Sequence, residues 1–349
     1  MSGPRGGMSM KTHLMKTLAA SAALLSLAAT AAQAQGVEDF YKGRNVSVII
    51  PNAPGGSFDL YGRLVARHIG RFIPGAPNMV PQNMPGAGGM VSANWLYDVA
   101  PKDGSAIGIS VPNIALAHVL EVSAIRYDAR KFNWIGRIVS PTATLYTWHT
   151  APTKTVADLR VHETLIASTG SVSQAHITSH MMNGVAGAKF KIIAGYKGTT
   201  DAIIALEQGE VQAAIFPWTF IKAARPDWLR EKKVNIVAQY TRRLNADLPG
   251  VPSIFDLAQT DEQREIFKLF FGPDEIGQSL MMPPGVDVAR VNALRAAFTA
   301  LIADKEFIAD ADKQKLELST ATWQEVQASV EEAYKATRAQ IEVAKKYYQ

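Results

Sequence analysis

The stretch Val48-Ile49-Ile50-Pro51-Asn52-Ala53-Pro54-Gly55-Gly56-Ser57-Phe58-Asp59 joins an apolar run to a turn of small residues and then to a helix. A short β-branched run halted by proline suits a strand buried on both faces of a sheet. From Asp59 onward, Leu60, Leu64, Val65 and Ile69 recur on one helical face, with Arg63 and Arg67 outside it. The same order of parts returns at Leu165-Ile166-Ala167-Ser168-Thr169-Gly170-Ser171-Val172-Ser173-Gln174, followed by a helix that carries His176, His180 and Met181. Comparable runs at 46–50, 107–111, 144–148, 163–167, 211–216 and 234–240 predict strands of a mainly parallel sheet. Helical signals lie between and after them. Thr155 to Asp158 reads as a capping box, and Val288, Val291, Leu294, Phe298 and Leu301 trace one stripe. Thr322-Trp323-Gln324-Glu325 is a second capping box, predicted to open one long terminal helix with Val326, Val330, Tyr334 and Ile341 facing inward. Alternating β and α elements give an α/β architecture.

The two strand–turn–helix stretches share a chemistry. The first turn of a helix presents unpaired N–H groups and the positive end of the peptide dipoles. Small residues let an anion approach that backbone, and Ser and Thr hydroxyls add donors. Neither turn contains Lys or Arg, so an anion there would be held by backbone and hydroxyl groups. Gly and Ser also serve such junctions for connection alone. Two such turns facing each other would hold a carboxylate at each end of a small molecule, and the presence of two in one chain favours ligand binding.

Composition narrows the classes. The 349 residues contain 36 Lys+Arg, 31 Asp+Glu and no Cys, for a formal charge of +5. Without Cys there is no disulfide framework, thiolate metal site, thiol catalysis or anchoring through a terminal Cys. With 47% apolar and 19% charged residues the chain can build a core. Its start reads as a secretory signal peptide: Lys11 and Lys16, then an apolar run from Leu18 to Ala32, then Ala32-Gln33-Ala34. Residues 1–34 are expected to be removed by cleavage after Ala34, since the apolar run falls short of the ~20 residues needed to span a bilayer. Arg5, Lys11 and Lys16 leave with that segment and no acid does, so three of the five net positive charges go with it. What remains gives no reason to expect a nucleic-acid partner. The mature chain is expected to be exported and periplasmic, with no membrane-spanning helix.

Signatures of several enzyme classes are missing. There is no G-x-S-x-G, no H-E-x-x-H and no phosphate-binding G-x-x-x-x-G-K-[ST]. Gly195-Tyr196-Lys197-Gly198-Thr199-Thr200 has phosphate-loop residue types at the wrong spacing. His176 and His180 are four apart, with no third metal ligand in view. No metal site is expected. An exported enzyme on the same scaffold is the alternative, with that His pair near an anion-binding turn as its single support.

Seven motifs then fall in order along the chain. They are Pro51 to Asp59, Asn83-Met84-Pro85-Gly86-Ala87-Gly88-Gly89, Ala100 to Gly104, Ser168 to His176, Gly195 to Thr199, Leu248 to Ser253, and Met282 to Val286. In this series the chain resembles the solute receptors of tripartite tricarboxylate transporters, the Bug family. The resemblance implies a type II periplasmic-binding-protein fold, in which two α/β lobes joined by two crossovers close on a ligand in the cleft. The lobes would be residues 37–140 with 241–349, and residues 141–240. It implies a small carboxylate ligand, such as citrate, an acidic amino acid, a nicotinate-like acid or an aromatic dicarboxylate. It also implies delivery to a membrane permease of one large and one small subunit, with no catalysis and no cofactor, and the receptor is expected to be a monomer. A ligand-presenting sensor subunit would use the same cleft.

Carried over by position, Gly55, Gly56, Ser57, Phe58 and Asp59 would serve the ligand from the first lobe. Ser168, Thr169, Gly170, Ser171 and Ser173 would do so from the second, with Ser110, Tyr196 and Trp218 as further candidates. Ser173 is the strongest single hydroxyl, and its loss is expected to weaken binding while barely altering folding. Asp59 is expected to cap its loop, to pair with Arg63 at i+4, or to accept a donor on the ligand. Val172 stands where the family has glycine, and Asp201 where many relatives have proline. Phe58, Tyr146, Trp148, Phe216 and Trp218 would suit an aromatic ligand.

Overall fold

Strand β1 (Asn45–Ile50) forms where the β-branched run predicts it, with Val46, Val48 and Ile50 fully buried. The computed structural model describes residues 35–348 except 141, 242–243 and 272–274. The expected signal peptide lies outside the described residues. The other strands are β2 (Asn78–Asn83), β3 (Ala106–Ile109), β4 (Asn133–Val139), β5 (Ala143–Trp148) and β6 (Thr164–Ser168). They continue with β7 (Phe190–Ala194), β8 (Ala213–Pro217), β9 (Val234–Tyr240), β10 (Gln278–Met282) and β11 (Ala321–Thr322). A helix over 35–41 (α1) comes first, then α2 (Ser57–His68), α3 (Met90–Asp98), α4 (Ile114–Val119), α5 (Gln174–Ala186) and α6 (Thr199–Gln208). After these come α7 (Trp218–Ala224), α8 (Pro226–Arg230), α9 (Asp261–Phe271), α10 (Val288–Ile302), α11 (Lys305–Lys313), α12 (Trp323–Ala333) and α13 (Arg338–Tyr348). Among the described residues no helix is long and apolar enough to cross a membrane.

The strands sort into two sheets. One has the order β11-β4-β10-β3-β1-β2 and the other β7-β6-β8-β5-β9. Both are mixed, which corrects the expectation of mainly parallel pairing. β1 runs parallel to β2 and β3, and β6 to β7 and β8, as helical crossovers require. β5 and β10 are antiparallel to their neighbours. Each follows a strand of the other sheet, β5 directly after β4 and β10 after β9 by way of α9, so neither is joined to a strand of its own sheet by the helical crossover that sets neighbours parallel.

The helical stripe beginning at Leu60 becomes α2, with Tyr61, Leu64 and Val65 packed beneath it. The Thr322 box closes reciprocally on Glu325, as read from the sequence. The long terminal helix, however, breaks after Ala333. Thr337 and Gln340 form a second reciprocal cap (2.9 and 3.3 Å) that starts α13 afresh. That last helix lies against α5, and Gln263 of α9 donates to the Val185 carbonyl at the far end of α5 (2.8 Å).

Candidate functional site

Three helices of this fold begin at one cavity of about 120 Å³ between the two sheets. Ser57 and Phe58 come from the first turn of α2, Gln174 and Ala175 from that of α5, and Thr199 from that of α6. The main-chain N–H groups of a first helical turn have no partner within the helix, so three sets of donors and three positive dipole ends point towards one space. The remaining wall is mostly apolar, with Val111, Val172, Ala214, Ile215 and Phe216 prominent. Among the described residues, no Asp, Glu, His, Lys or Arg lines it. An anion bound here would therefore be held by dipoles and not by an ion pair.

Five of the residues selected from sequence line this cavity: Ser57, Phe58, Ser168, Thr169 and Ser173. Ser173 is the N-cap of α5, its Oγ accepting from His176 N (3.2 Å) and lying 3.0 Å from Ser168 Oγ. Ser168 Oγ in turn accepts from Gly170 N (3.1 Å), so the turn is held in shape by its own hydroxyls. Ser57 Oγ accepts from Gln278 Nε2 (3.1 Å).

The other eight stand off the cavity wall. Gly56 is the N-cap of α2, and Gly55 donates its N–H to Asp59 Oδ2 (2.8 Å). Asp59 is 3% exposed and receives Arg63 Nε on both oxygens (2.9 Å) and Asn83 Nδ2 (2.9 Å). Burial pushes the Asp59 carboxyl up, but the hydrogen bonds from Arg63, Gly55 and Asn83 outweigh it and hold it below its usual range. Its role is the cap and i+4 pair expected from sequence. Ser110 is fully buried between β3 and β10, donating to Gly277 O (3.3 Å) and accepting from Ser279 N (3.1 Å). Ser171 is half-buried in its turn, while Tyr196 packs at the edge of the second sheet's core. Trp218 is buried in that core and donates Nε1 to Asp247 Oδ2 (3.2 Å). Tyr146 and Trp148 belong to the same core, so of the aromatic set only Phe58 and Phe216 reach the cavity.

Gly170 belongs to a different contact. The glycine-rich loop after β2 meets the turn after β6: Gly88 N donates to Thr169 O (2.9 Å) and Val172 N to Ala87 O (3.4 Å). Ala53 N similarly donates to Lys197 O (3.0 Å), so loops carried by the two sheets touch on both sides of the cavity. The approach needs glycine: a Cβ on Gly88 would fall 2.3 Å from Ser173 N, and one on Gly170 2.5 Å from Ala87 Cα. Val172 does not keep the backbones apart; it is buried in the core at the cavity wall, and its N–H still reaches across.

The His pair does not join the site. His176 and His180 lie with ring centroids 4.7 Å apart and planes tilted by 50°, and neither lines the cavity. Burial and then the neighbouring His180 push the His176 ring down to about 4, so it is neutral at ordinary pH.

The comparisons agree with this geometry. A family model described as tripartite tricarboxylate transporter family receptor matches residues 66–344. The chain belongs to that receptor family. A Cupriavidus necator protein named "UPF0065 protein in gbd 5'region" is 26% identical to the receptor over 291 residues, covering 80% of this chain and 81% of that one. The periplasmic binding protein BugD superposes with a TM-score of 0.70 at 21% identity, over 88% of this chain and 98% of its own. An R. palustris protein with adipate gives 0.67 at 21% identity, over 87% and 97%. MatC from Rhodopseudomonas palustris with bound malate gives 0.67 at 18%, over 88% and 99%. These structures establish the two-lobed periplasmic-binding-protein fold of the receptor.

Six polar residues of the receptor's cavity were not selected from sequence: Asn52, Asn113, Ser140, Gln174, Thr199 and Gln278. Thr199 lies in the segment set aside for its wrong nucleotide-loop spacing, although a plain helix start was the relevant feature. Asn113 follows Val111-Pro112 at the N-cap of α4, yet its side chain makes no capping bond. Gln278 opens β10, a strand otherwise of buried Ser, Leu and Met, and this lone amide in an apolar run was the available signal.

Proposed function

We propose that the receptor binds a small carboxylate in this cavity and delivers it, as a monomer, to a membrane permease of one large and one small subunit. It works in the periplasm after removal of residues 1–34, with lobes formed by residues 37–140 with 241–349 and by 141–240. The observation that carries the reading is the convergence of three helix starts on one space whose lining, among the described residues, holds no charged side chain. Such a space favours an anion through fixed N–H dipoles, and among the described residues it offers its Ser and Thr hydroxyls no ionisable base and a substrate no metal-ligand set. Adipate and malate in the related structures support a small acid as the class of ligand. That His176 and His180 stand away from the lining supports binding over turnover. Phe58 and Phe216 leave room for an aromatic ring among the acids to be tried.

The test is a melting-temperature screen of mono-, di- and tricarboxylates, amino acids and aromatic acids. A ligand at a hundred times its Kd adds about 2.7 kcal/mol to stability, roughly 4 °C for a chain of this size. A panel that leaves the melting temperature unmoved would refute the reading.

A further inference from the structure

Two polar groups in the cavity wall have no partner. Asn113 is 3% exposed and Gln278 1% exposed, and both line the cavity. Asn113 Nδ2 donates to nothing, and Gln278 Oε1 accepts from nothing, its Nε2 being engaged by Ser57. Buried amides are ordinarily satisfied, and a donor and an acceptor left open in one lining can both be met by a ligand group. The pairing of β10 with β3 brings Gln278 to the segment that leads into Asn113, and both line the one cavity. Leu280 lies opposite Ile109 in antiparallel register, so Gln278 stands at the end of β3, where Val111, Pro112 and Asn113 follow.

We propose that the cavity selects hydroxylated monocarboxylates: the carboxylate lies against the helix starts, and a ligand hydroxyl accepts from Asn113 Nδ2 while donating to Gln278 Oε1. This rests on the carboxylate-receptor reading above and narrows it. A hydroxyl is the smallest group that is donor and acceptor at once. An ionised second carboxylate could accept from Asn113 but has no proton for Gln278, and it would sit desolvated without a cation. An ammonium would serve Gln278 and leave Asn113 open. The carbon body fits the apolar wall of Val111, Val172, Ile215, Phe58 and Phe216. The volume of about 120 Å³ is close to that of engineered apolar cavities, about 150 Å³, that take up benzene, so the body is of ring size or smaller.

The experiment is titration calorimetry with matched sets. One set is butyrate, the 2-, 3- and 4-hydroxybutyrates and succinate; the other is benzoate, the three hydroxybenzoates and the benzenedicarboxylates. In the unaltered protein, at least one hydroxy acid binds tenfold or more tighter than both its unsubstituted parent and its dicarboxylate analogue. In Gln278→Met and, separately, Asn113→Ala, each checked for folding by its melt, the ratio of hydroxy acid to parent falls to about twofold. Parents or dicarboxylates binding as tightly as every hydroxy acid overturn the inference and leave the receptor reading standing. A preference that survives in both variants also overturns it. Failure of every acid in both sets and in the wider screen overturns the receptor reading itself, and the inference with it.

Discussion

Replacing Gly88 by Ala separates closure of the cleft from stability of the fold. Gly88 has φ 70° and ψ 21°, in the left-handed region, and its N–H donates to Thr169 O at 2.9 Å. A Cβ there would lie 2.3 Å from Ser173 N and 2.9 Å from Ser173 Cα. Ser173 caps α5, so its backbone cannot retreat without moving the helix. Gly187, the C-cap of α5, is the control: its φ is +68° and a Cβ would meet nothing within 4 Å. Both substitutions carry the cost of a side chain in the left-handed region, about 1 kcal/mol. Gly88→Ala also breaks the hydrogen bond to Thr169 and strains the neighbouring one from Val172, at about 1 kcal/mol each. That added 1–2 kcal/mol falls on the state in which the loops touch. Affinity for any carboxylate that binds should therefore drop roughly 5- to 30-fold in Gly88→Ala relative to Gly187→Ala, while the ligand-free melts of the two variants agree within a degree or two. Calorimetry on both variants with one ligand, beside their melts, makes the measurement. Equal dissociation constants would show that the loop contact plays no part in holding the ligand.

Ser173→Ala should cost about 1 kcal/mol of stability, because the hydroxyl is a helix cap as well as a cavity group. This replaces the sequence expectation of an unaltered fold, and Ser173→Thr should restore the loss; an unchanged urea midpoint for Ser173→Ala would contradict it. His176 is held neutral in the native state, while the unfolded chain takes up its proton below about pH 6.5. The ring therefore favours folding at neutral pH, and that contribution is lost as pH falls from about 6.5 towards 4. His176→Gln should flatten the stability profile in that window, and urea melts giving the same slope for variant and parent would dismiss the assignment.

Much of the fold was legible because its signals are local. β1, β5, β6 and β9 follow from apolar runs, and α2, α10 and α12 from period and caps. β2 escaped because it is an edge strand that tolerates Pro81 and alternates polar residues, so it lacks the apolar signature of a buried strand. The antiparallel entrance of β5 and β10 is a matter of how the chain crosses between sheets, which no window of sequence contains. The same division holds at the cavity. The turns at Ser57 and Ser173 could be read because a strand, small residues and a helix start are contiguous. Gln278 could not, since its contact with Ser57 joins residues 221 apart and depends on β10 slotting beside β3. Trp218 and Tyr146 show the reverse error, in which proximity to a strand end says nothing of which face of the sheet a ring takes.

The absence of ionisable side chains from the described cavity wall has a consequence for how the receptor senses its surroundings. Peptide N–H groups, hydroxyls and carboxamides neither gain nor lose protons between about pH 4 and 9. The pocket therefore has no titration of its own, and the pH dependence of capture belongs to the acid being captured. As the medium acidifies, occupancy should track the ionised fraction of the ligand and bend at the ligand's own pKa. Different acids would then yield different curves on the same protein, and each curve would report the chemistry of the cargo.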